Sequence, residues 1–123
     1  KYNNNEVICF DGDGSFLMHL GSFTLIGKYP QKKIKYILAD NESHESIGGQ
    51  KIEIDKINIK KLSEAFGFKK FFFIKNKNNL ELTMKKFLQT TGPSFLHVKI
   101  STGTLKNLMR PKNFENIKKD FMK

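Results

Sequence analysis

Hydrophobic residues fall into two patterns along this chain. Four stretches are nearly continuous apolar runs, as in strands buried on both faces of a sheet, and lie at 6–10, 34–40, 69–75 and 94–100. Other segments repeat their apolar residues every three or four positions, which predicts helices with one buried face. We expect such helices at 15–28, 59–66 and 80–91, with a shorter amphipathic helix ending near Met122.

Polar and conformationally special residues mark where these helices begin and end. Asn58 and Asn79 are expected to cap helix starts, because an Asn side chain accepts hydrogen bonds from the free N–H groups there. Pro30 and Gly67 are expected to end helices. In the helix after Asn79, the residues expected to face the core are Leu80, Met84, Phe87 and Leu88.

Strands alternate with helices throughout the sequence. Right-handed crossovers between neighbouring strands then predict an α/β fold, a parallel sheet with helices on both faces. The chain has 123 residues and no internal repeat, so we expect one domain over 1–123. Because it starts at Lys1 without an initiator Met, we expect it to be part of a longer protein. The stretch 41–50 is expected to be a polar loop.

Two polar clusters follow the first two predicted strands. The first cluster lies at a strand end and a helix start and consists of Gly12, Asp13, Gly14 and Ser15. The second cluster begins at Asp40-Asn41. In parallel sheets, ligands bind at the carboxyl ends of the strands. Glycines let a backbone approach an anion closely, and a helix start offers free N–H groups to a phosphate.

The negative charge of Asp13 would repel a bound phosphate unless a cation lay between them. A hard divalent ion resolves the conflict, since it takes oxygen ligands from a carboxylate, an Asn amide, a backbone carbonyl and phosphate oxygens. Mg²⁺ and Ca²⁺ both suit such a ligand set. The alternative is that both clusters are ordinary turns, with Ser15 as a helix cap.

The two clusters together resemble the cofactor motif of thiamine-diphosphate enzymes. That motif is a Gly-Asp-Gly tripeptide followed, after a fixed gap, by a pair ending in Asn; here the pair is Asp40-Asn41 instead of the usual Asn-Asn. The resemblance implies thiamine diphosphate and Mg²⁺ as cofactors. It implies Asp13, Asn41 and the Ser43 carbonyl as metal ligands, and it places the diphosphate on Gly14 and Ser15, beside Gly12.

Longer segments resemble phosphonopyruvate decarboxylases in particular. The stretch 40–50 is similar to their D-N-x-x-H-[DE]-S-x-G-G-Q segment, and 11–22 and 103–111 are similar to two further segments. The resemblance implies decarboxylation of phosphonopyruvate to phosphonoacetaldehyde, which can be transaminated to aminoethylphosphonate. Sulfopyruvate decarboxylase, whose halves can be separate subunits, is the nearest alternative, and an acetolactate-type synthase fits less well.

Four side chains are candidates for contacts beyond the cofactor. His44 and Ser46 follow the metal loop, where they can contact the substrate, shuttle a proton, or order the loop through backbone hydrogen bonds. His19 is expected to pack within its helix. Arg110 is suited to a phosphonate, and equally to a surface or interface salt bridge.

The family resemblance also implies partners. In the superfamily a glutamate from a pyrimidine-binding domain activates the cofactor, and this sequence contains no such domain. Glu6, Glu42 and Glu45 all belong to the diphosphate half and do not fill that role. We therefore expect a pyrimidine-binding domain or subunit, a homo-oligomer, and no decarboxylation by the isolated chain.

Composition adds little to this picture. The net charge of +10 is typical of proteins that bind nucleic acids. However, the lysines are scattered and Arg110 is the sole arginine, so we expect a solvated basic surface. A basic anion-binding module without catalysis remains the alternative of a different class. No apolar run reaches the roughly 20 residues of a membrane span. Cys9 is expected to be buried, and the protein to be cytoplasmic.

Overall fold

The computed structural model describes residues 6–28, 33–103 and 113–122. Its strands, in chain order, are β1 (Val7–Gly12), β2 (Ile34–Asp40), β3 (Ser43–His44), β4 (Gln50–Lys51), β5 (Lys70–Ile74) and β6 (Ser94–Lys99). Its α-helices are α1 (Asp13–Met18), α2 (Thr24–Lys28), α3 (Ile59–Ala65), α4 (Leu80–Gln89) and α5 (Phe114–Phe121). Short 3₁₀ turns lie at Leu20–Phe23, Glu45–Ile47, Glu53–Lys56 and Lys77–Asn79.

Four strands form the central sheet in the order β1-β2-β6-β5, and every neighbouring pair is parallel. The register places Gly12 opposite Ala39 and Asp40 opposite Lys99, so the strands end at one edge of the sheet. Each parallel pair is joined through helices, as parallel strands require. The predicted α/β sheet is therefore confirmed.

Helices cover both faces of this sheet. On one face, α1 to α3 pack their apolar residues on β2 and β6 through the aromatic cluster Phe16, Phe23, Tyr36, Phe68 and Phe95. The Phe23 and Tyr36 ring centroids are 4.8 Å apart with nearly perpendicular planes, a favourable edge-on geometry. On the other face, Phe87 of α4 packs on Ile37 and Leu96. The bulky core holds α1 rigidly against the carboxyl ends of the strands.

The first strand is less buried than its apolar sequence predicts. β1 lies at the edge of the described sheet, with Val7 59% and Phe10 72% exposed. Cys9 is exposed as well, so its predicted burial is wrong. A continuous apolar run indicates that a strand can be buried. Its position in the sheet decides whether it is buried.

The helix predicted at 15–28 is divided into three parts. α1 begins earlier, at Asp13, and ends at Met18; the 3₁₀ turn and α2 follow. The break falls at His19, whose backbone carbonyl accepts a hydrogen bond from the Ser22 hydroxyl at 2.7 Å. The Thr24 hydroxyl likewise bonds to the Gly21 carbonyl at 2.8 Å. Such local side-chain bonds compete with the helical ladder, so one continuous helix does not form.

Smaller differences concern caps and loops. Asn58 caps α3 as predicted, through a 3.0 Å bond from the Lys61 N–H, but Asn79 makes no side-chain cap at α4. Leu80 and Leu88, predicted to face the core, are exposed. The predicted polar loop 41–50 contains β3, which pairs with β4 in an antiparallel ribbon. Pro30, the predicted helix stop, lies outside the described residues.

None of the helices in the described ranges is long and apolar enough to span a membrane.

Candidate functional site at the carboxyl ends of β1 and β2

A cavity of about 340 Å³ opens where β1 and β2 end. The register of the parallel pair brings the turn after β1 beside the loop after β2. Apolar side chains of Met18, Ile47 and Ile100 form part of its wall. The residues predicted as site residues all line this one cavity; they are Gly12, Asp13, Gly14, Ser15, Asn41, Ser43, His44 and Ser46.

Asp13 has one carboxylate oxygen without a partner. It is the first residue of α1 and is 4% exposed. Its Oδ1 accepts a hydrogen bond from the Gly14 N–H at 2.8 Å, whereas its buried Oδ2 has no hydrogen-bond partner among the described residues. An unsatisfied buried carboxylate oxygen is costly, roughly 1–3 kcal/mol or more for a charged group. The arrangement leaves Oδ2 available to a cation in the cavity.

Gly14 is held in close contact with His44. A Cβ atom at this position would lie 2.4 Å from Cε1 and Nδ1 of the His44 imidazole. The absence of a side chain therefore lets the imidazole lie directly over the first turn of α1. His44 ends β3, and it is among the residues that line the cavity.

Two hydrogen bonds fix the orientation of the Asn41 amide. Its Nδ2 donates to Oε2 of Glu45 at 2.9 Å, and its Oδ1 accepts from the Ser43 N–H at 3.1 Å. A carbonyl oxygen has two lone pairs, so Oδ1 retains one for a further partner. Glu45 also accepts a hydrogen bond from the Gly103 N–H, which ties the loop to the segment after β6. The sequence alone does not reveal this role of Glu45.

A buried ionic network lies beneath the same loop. Asp40 is 1% exposed, and its Oδ2 accepts hydrogen bonds from His97 Nε2 at 2.6 Å and from Lys99 Nζ at 2.8 Å. Its Oδ1 accepts the Glu42 N–H at 3.1 Å. Lys99 also pairs with the Glu42 carboxylate. Asp40 is therefore directed away from the cavity, into the protein.

The network sets the charge of its members. Burial raises the pKa of Asp40, but hydrogen bonds and charges from Lys99 and His97 outweigh burial, so the pKa lies below its ordinary value. Burial lowers the pKa of Lys99 in turn, but Asp40 and Glu42 more than compensate and raise it. For His97, burial prevails over the attraction of Asp40 and lowers the pKa. These shifts favour the ionised form of Asp40 and the charged form of Lys99, and they disfavour protonation of His97.

The remaining predicted residues occupy different positions. Ser15 is half-buried in α1, and its carbonyl accepts a hydrogen bond from His19 Nδ1 at 3.0 Å. Ser46 is exposed on the short turn after β3. His19 does not line this cavity, and it is exposed at the end of α1, so its predicted packing role is not confirmed. Arg110 lies outside the described residues.

The oxygen atoms at the site suit a hard divalent cation. Asp13 has a carboxylate oxygen without a hydrogen-bond partner among the described residues, and Asn41 has an amide oxygen in a fixed orientation. Ser43 lines the same cavity. The described residues contain no cluster of three or more His, Cys, Asp or Glu side chains that could hold a metal. A cation here would therefore complete its coordination with oxygens from a ligand or from water, as Mg²⁺ commonly does.

Comparison with known families shows to which family the chain belongs. Residues 1–98 match the family described as thiamine pyrophosphate enzymes, C-terminal TPP binding domain. The chain belongs to this family. Thiamine pyrophosphate is another name for thiamine diphosphate, so the cavity at the ends of β1 and β2 lies in a thiamine-diphosphate-binding domain.

Relatives within the thiamine pyrophosphate enzymes include decarboxylases of two kinds. A phosphonopyruvate decarboxylase of Streptomyces viridochromogenes is 32% identical over 106 residues, which cover 86% of this chain and 27% of the relative. A sulfopyruvate decarboxylase subunit beta of Methanothermobacter thermautotrophicus is 30% identical over 98 residues, covering 80% of this chain and 50% of the relative. The chain thus spans a quarter to a half of the length of these relatives.

The fold is also similar to that of a solved structure. An X-ray structure of a protein assigned as a thiamin diphosphate-dependent enzyme, from Mycobacterium smegmatis, superposes with a TM-score of 0.59. The match covers 80% of this chain and 18% of that one, at 22% identity. At this identity the likeness supports the fold of the domain, which agrees with the family assignment.

Proposed function

We propose that this chain is the diphosphate- and magnesium-binding domain, spanning 1–123, of a 2-oxoacid decarboxylase that acts on phosphonopyruvate. The reaction releases CO₂ and gives phosphonoacetaldehyde, a precursor of aminoethylphosphonate. When bound, thiamine diphosphate supplies the nucleophilic carbon and the electron sink that decarboxylation requires. The observation that carries the proposal is the unsatisfied Oδ2 of Asp13, buried in a cavity of a thiamine-diphosphate-binding domain.

The chain's own residues divide the binding task. Asp13, the Asn41 amide oxygen and the Ser43 carbonyl would hold Mg²⁺, which would neutralise the charge between Asp13 and a diphosphate. Gly14 and Ser15 would bind the diphosphate through backbone N–H groups and the Ser15 hydroxyl, with Gly12 leaving room beside it. This division is supported by the shared cavity and by the fixed orientation of Asn41.

His44 and Ser46 are proposed to act on the substrate side. His44 lies against Gly14 and lines the cavity, so a bound ligand would lie near its imidazole. A half-exposed imidazole can contact an anionic substrate or carry a proton. Ser46 is exposed on the rim and can donate a hydrogen bond to a carboxylate.

Substrate choice rests on the similarity of 40–50 to phosphonopyruvate decarboxylases. Sulfopyruvate decarboxylase is the second candidate, since the two substrates differ in carrying a phosphonate or a sulfonate. A paired assay of both 2-oxoacids with the complete enzyme separates the two. Faster turnover of phosphonopyruvate, measured as kcat/KM, is the expected result, and a preference for sulfopyruvate would transfer the assignment to the second candidate.

The complete enzyme is proposed to include a pyrimidine-binding domain or subunit and to assemble as a homo-oligomer in the cytoplasm. Such a partner is needed because the described glutamates near the site are already engaged, Glu42 by Lys99 and Glu45 by Asn41. The proposal includes no nucleic acid or membrane among the partners. Light scattering of the complete enzyme tests the oligomer, with a monomer as the contrary outcome.

Titration calorimetry tests the binding site itself. With the complete enzyme, thiamine diphosphate is expected to bind tightly only when Mg²⁺ is present, and Asp13→Ala is expected to abolish this tight, Mg²⁺-dependent binding. Asp55→Ala is the matched control, because Asp55 is exposed and pairs only weakly with Lys51 at 3.8 Å. An anion-binding module without catalysis predicts binding of phosphates without Mg²⁺. Tight binding retained by Asp13→Ala would refute the ligand assignment.

A further inference from the structure

The loop between β2 and β3 contains a backbone conformation that needs support. Glu42 has φ of 58°, in the left-handed region that non-glycine residues rarely adopt. Residues held in such conformations cluster at functional sites, and they persist where surrounding contacts over-determine them. Glu42 stands between Asn41 and Ser43, two of the proposed metal ligands.

Three contacts hold Glu42 in place. Its N–H donates to Asp40 Oδ1 at 3.1 Å, and its carbonyl accepts the Ile52 N–H at 2.9 Å. Its carboxylate pairs with Lys99, and Lys99 in turn pairs with Asp40. The backbone and the side chain of Glu42 are therefore both tied to the ionic network under the loop.

The network is anchored in the sheet rather than on the surface. His97 and Lys99 lie on β6, and Asp40 ends β2, its neighbour. Asp40 and His97 are both buried, and the Asp40 carbonyl also accepts the Ile100 N–H at 2.9 Å. Because both strands belong to the central sheet, the network ties the loop to the sheet.

We propose that Asp40, His97 and Lys99 are positioning residues of the metal site, which set the Asn41 amide and the Ser43 carbonyl by fixing Glu42 between them. The idea deepens the proposed function and rests on it. Residues that orient the ligands of a metal typically change its affinity 10- to 100-fold when they are altered. The Asp before Asn41 then has a reason, because a carboxylate forms an ion pair with Lys99, which a neutral Asn would not.

The test measures Mg²⁺ affinity of the complete enzyme by calorimetry, at saturating thiamine diphosphate. Lys99→Met and Asp40→Asn are each expected to raise the Mg²⁺ dissociation constant about 10-fold or more. The double variant is expected to lose less than the product of the two single effects, because both changes break the same contact. Lys60→Met is the matched control: Lys60 is exposed, 4.0 Å from Glu64, and far from the cavity lining.

Thermal unfolding distinguishes positioning from general stabilisation. If Lys99→Met and Asp40→Asn lower the melting temperature but leave the Mg²⁺ dissociation constant unchanged, the residues are structural and the proposal is overturned. Glu42→Gln is a milder change, since Glu42 is partly exposed, and it serves if either other variant fails to fold. It is also expected to raise the Mg²⁺ dissociation constant. Unchanged Mg²⁺ affinity in Glu42→Gln would then overturn the proposal. Absence of Mg²⁺-dependent binding in the unaltered enzyme would instead refute the proposed function, and this inference with it.

Discussion

Gly14 shows how one hydrogen atom in place of a methyl group shapes the cavity. The His44 ring occupies the space that a Cβ atom would need. The ring is the end of a rotatable side chain, so a methyl group would displace it rather than disrupt the fold. A change at Gly14 therefore acts on the candidate substrate residue and much less on the core.

We expect Gly14→Ala to lower kcat of the complete enzyme severalfold while reducing the apparent melting temperature only slightly. The methyl group moves the His44 imidazole off the first turn of α1, and a crystal structure of the variant would display the shift. Gly21→Ala is the control, since nothing lies within 4 Å of a Cβ there. Equal kcat values for the two variants would count against a substrate role for His44.

His97 makes stability depend on pH in a defined window. Burial holds the pKa of His97 below its ordinary value, so the folded protein resists protonation that the unfolded chain accepts near pH 6.5. The stabilisation is present above about pH 6.5 and is lost as the pH falls toward the folded-state pKa. We expect a larger drop in melting temperature from pH 7.5 to 5.5 in the unaltered protein than in His97→Gln.

The control for this pH experiment is His19→Gln, which alters an exposed histidine. It should keep the same pH dependence as the unaltered protein. A slope that survives in His97→Gln would mean that another group causes it.

At the residue scale, the sequence predicted which residues share the cavity but not what supports them. Asp13 and Asn41 were found because Gly-Asp-Gly and the Asn lie at strand ends, where local pattern suffices, and Ser43 was added by the resemblance to thiamine-diphosphate enzymes. The contact between Asp40 and His97 joins residues 57 positions apart, and no local pattern reports such a pair. The charge of Asp40 at the end of an apolar strand was the one visible signal.

Helix caps illustrate the same limit for whole elements. Asn58 and Asn79 look alike in the sequence, yet only Asn58 bonds to a free N–H of the helix that follows. At the second site the bond is made by Asn76, which accepts from the Asn78 N–H at 3.2 Å and starts a 3₁₀ turn before α4. A run of consecutive Asn and Lys residues leaves the choice of cap to the backbone geometry.

We expect Asn58→Ala to destabilise the protein by about 1 kcal/mol, the usual cost of removing such a cap. Asn79→Ala, in which no cap bond is lost, should change the free energy of unfolding by less than roughly half of that. Denaturant unfolding of the two variants side by side measures the difference. Similar losses in both would show that the caps are assigned wrongly.

Most strand positions followed from the sequence, since apolar runs and turn residues are local signals. The broken helix after β1 did not, because hydrophobic spacing continues through His19 to Thr24 while side-chain hydroxyls bond to the backbone. The exposure of β1 also did not follow from the sequence. Burial of a strand depends on the order β1-β2-β6-β5, which is a property of the assembled sheet.

For the whole molecule, the arrangement of charges argues that binding and turnover are separable. The carboxylates near the cavity serve the loop, with Glu45 on Asn41 and Glu42 on Lys99. We therefore propose that the group that activates the cofactor belongs to protein beyond this domain. In the proposed enzyme, this domain binds the diphosphate, and turnover needs the complete enzyme.

We expect the isolated 123-residue chain to release no CO₂ from phosphonopyruvate, even with Mg²⁺ and thiamine diphosphate in excess. The complete enzyme, assayed in parallel for CO₂ release, is the positive control. Measurable turnover by the isolated chain would contradict the assignment of the activating group to another domain.

The link between Asp40 and β6 has a consequence for the order of events during synthesis. A growing chain that has reached residue 50 already contains Asp13, Asn41 and Ser43, but it lacks His97 and Lys99. If the network positions the loop as proposed, the loop reaches its final shape after β6 has docked beside β2. A chain released before β6 is made would then hold the metal and the cofactor more weakly than the finished domain.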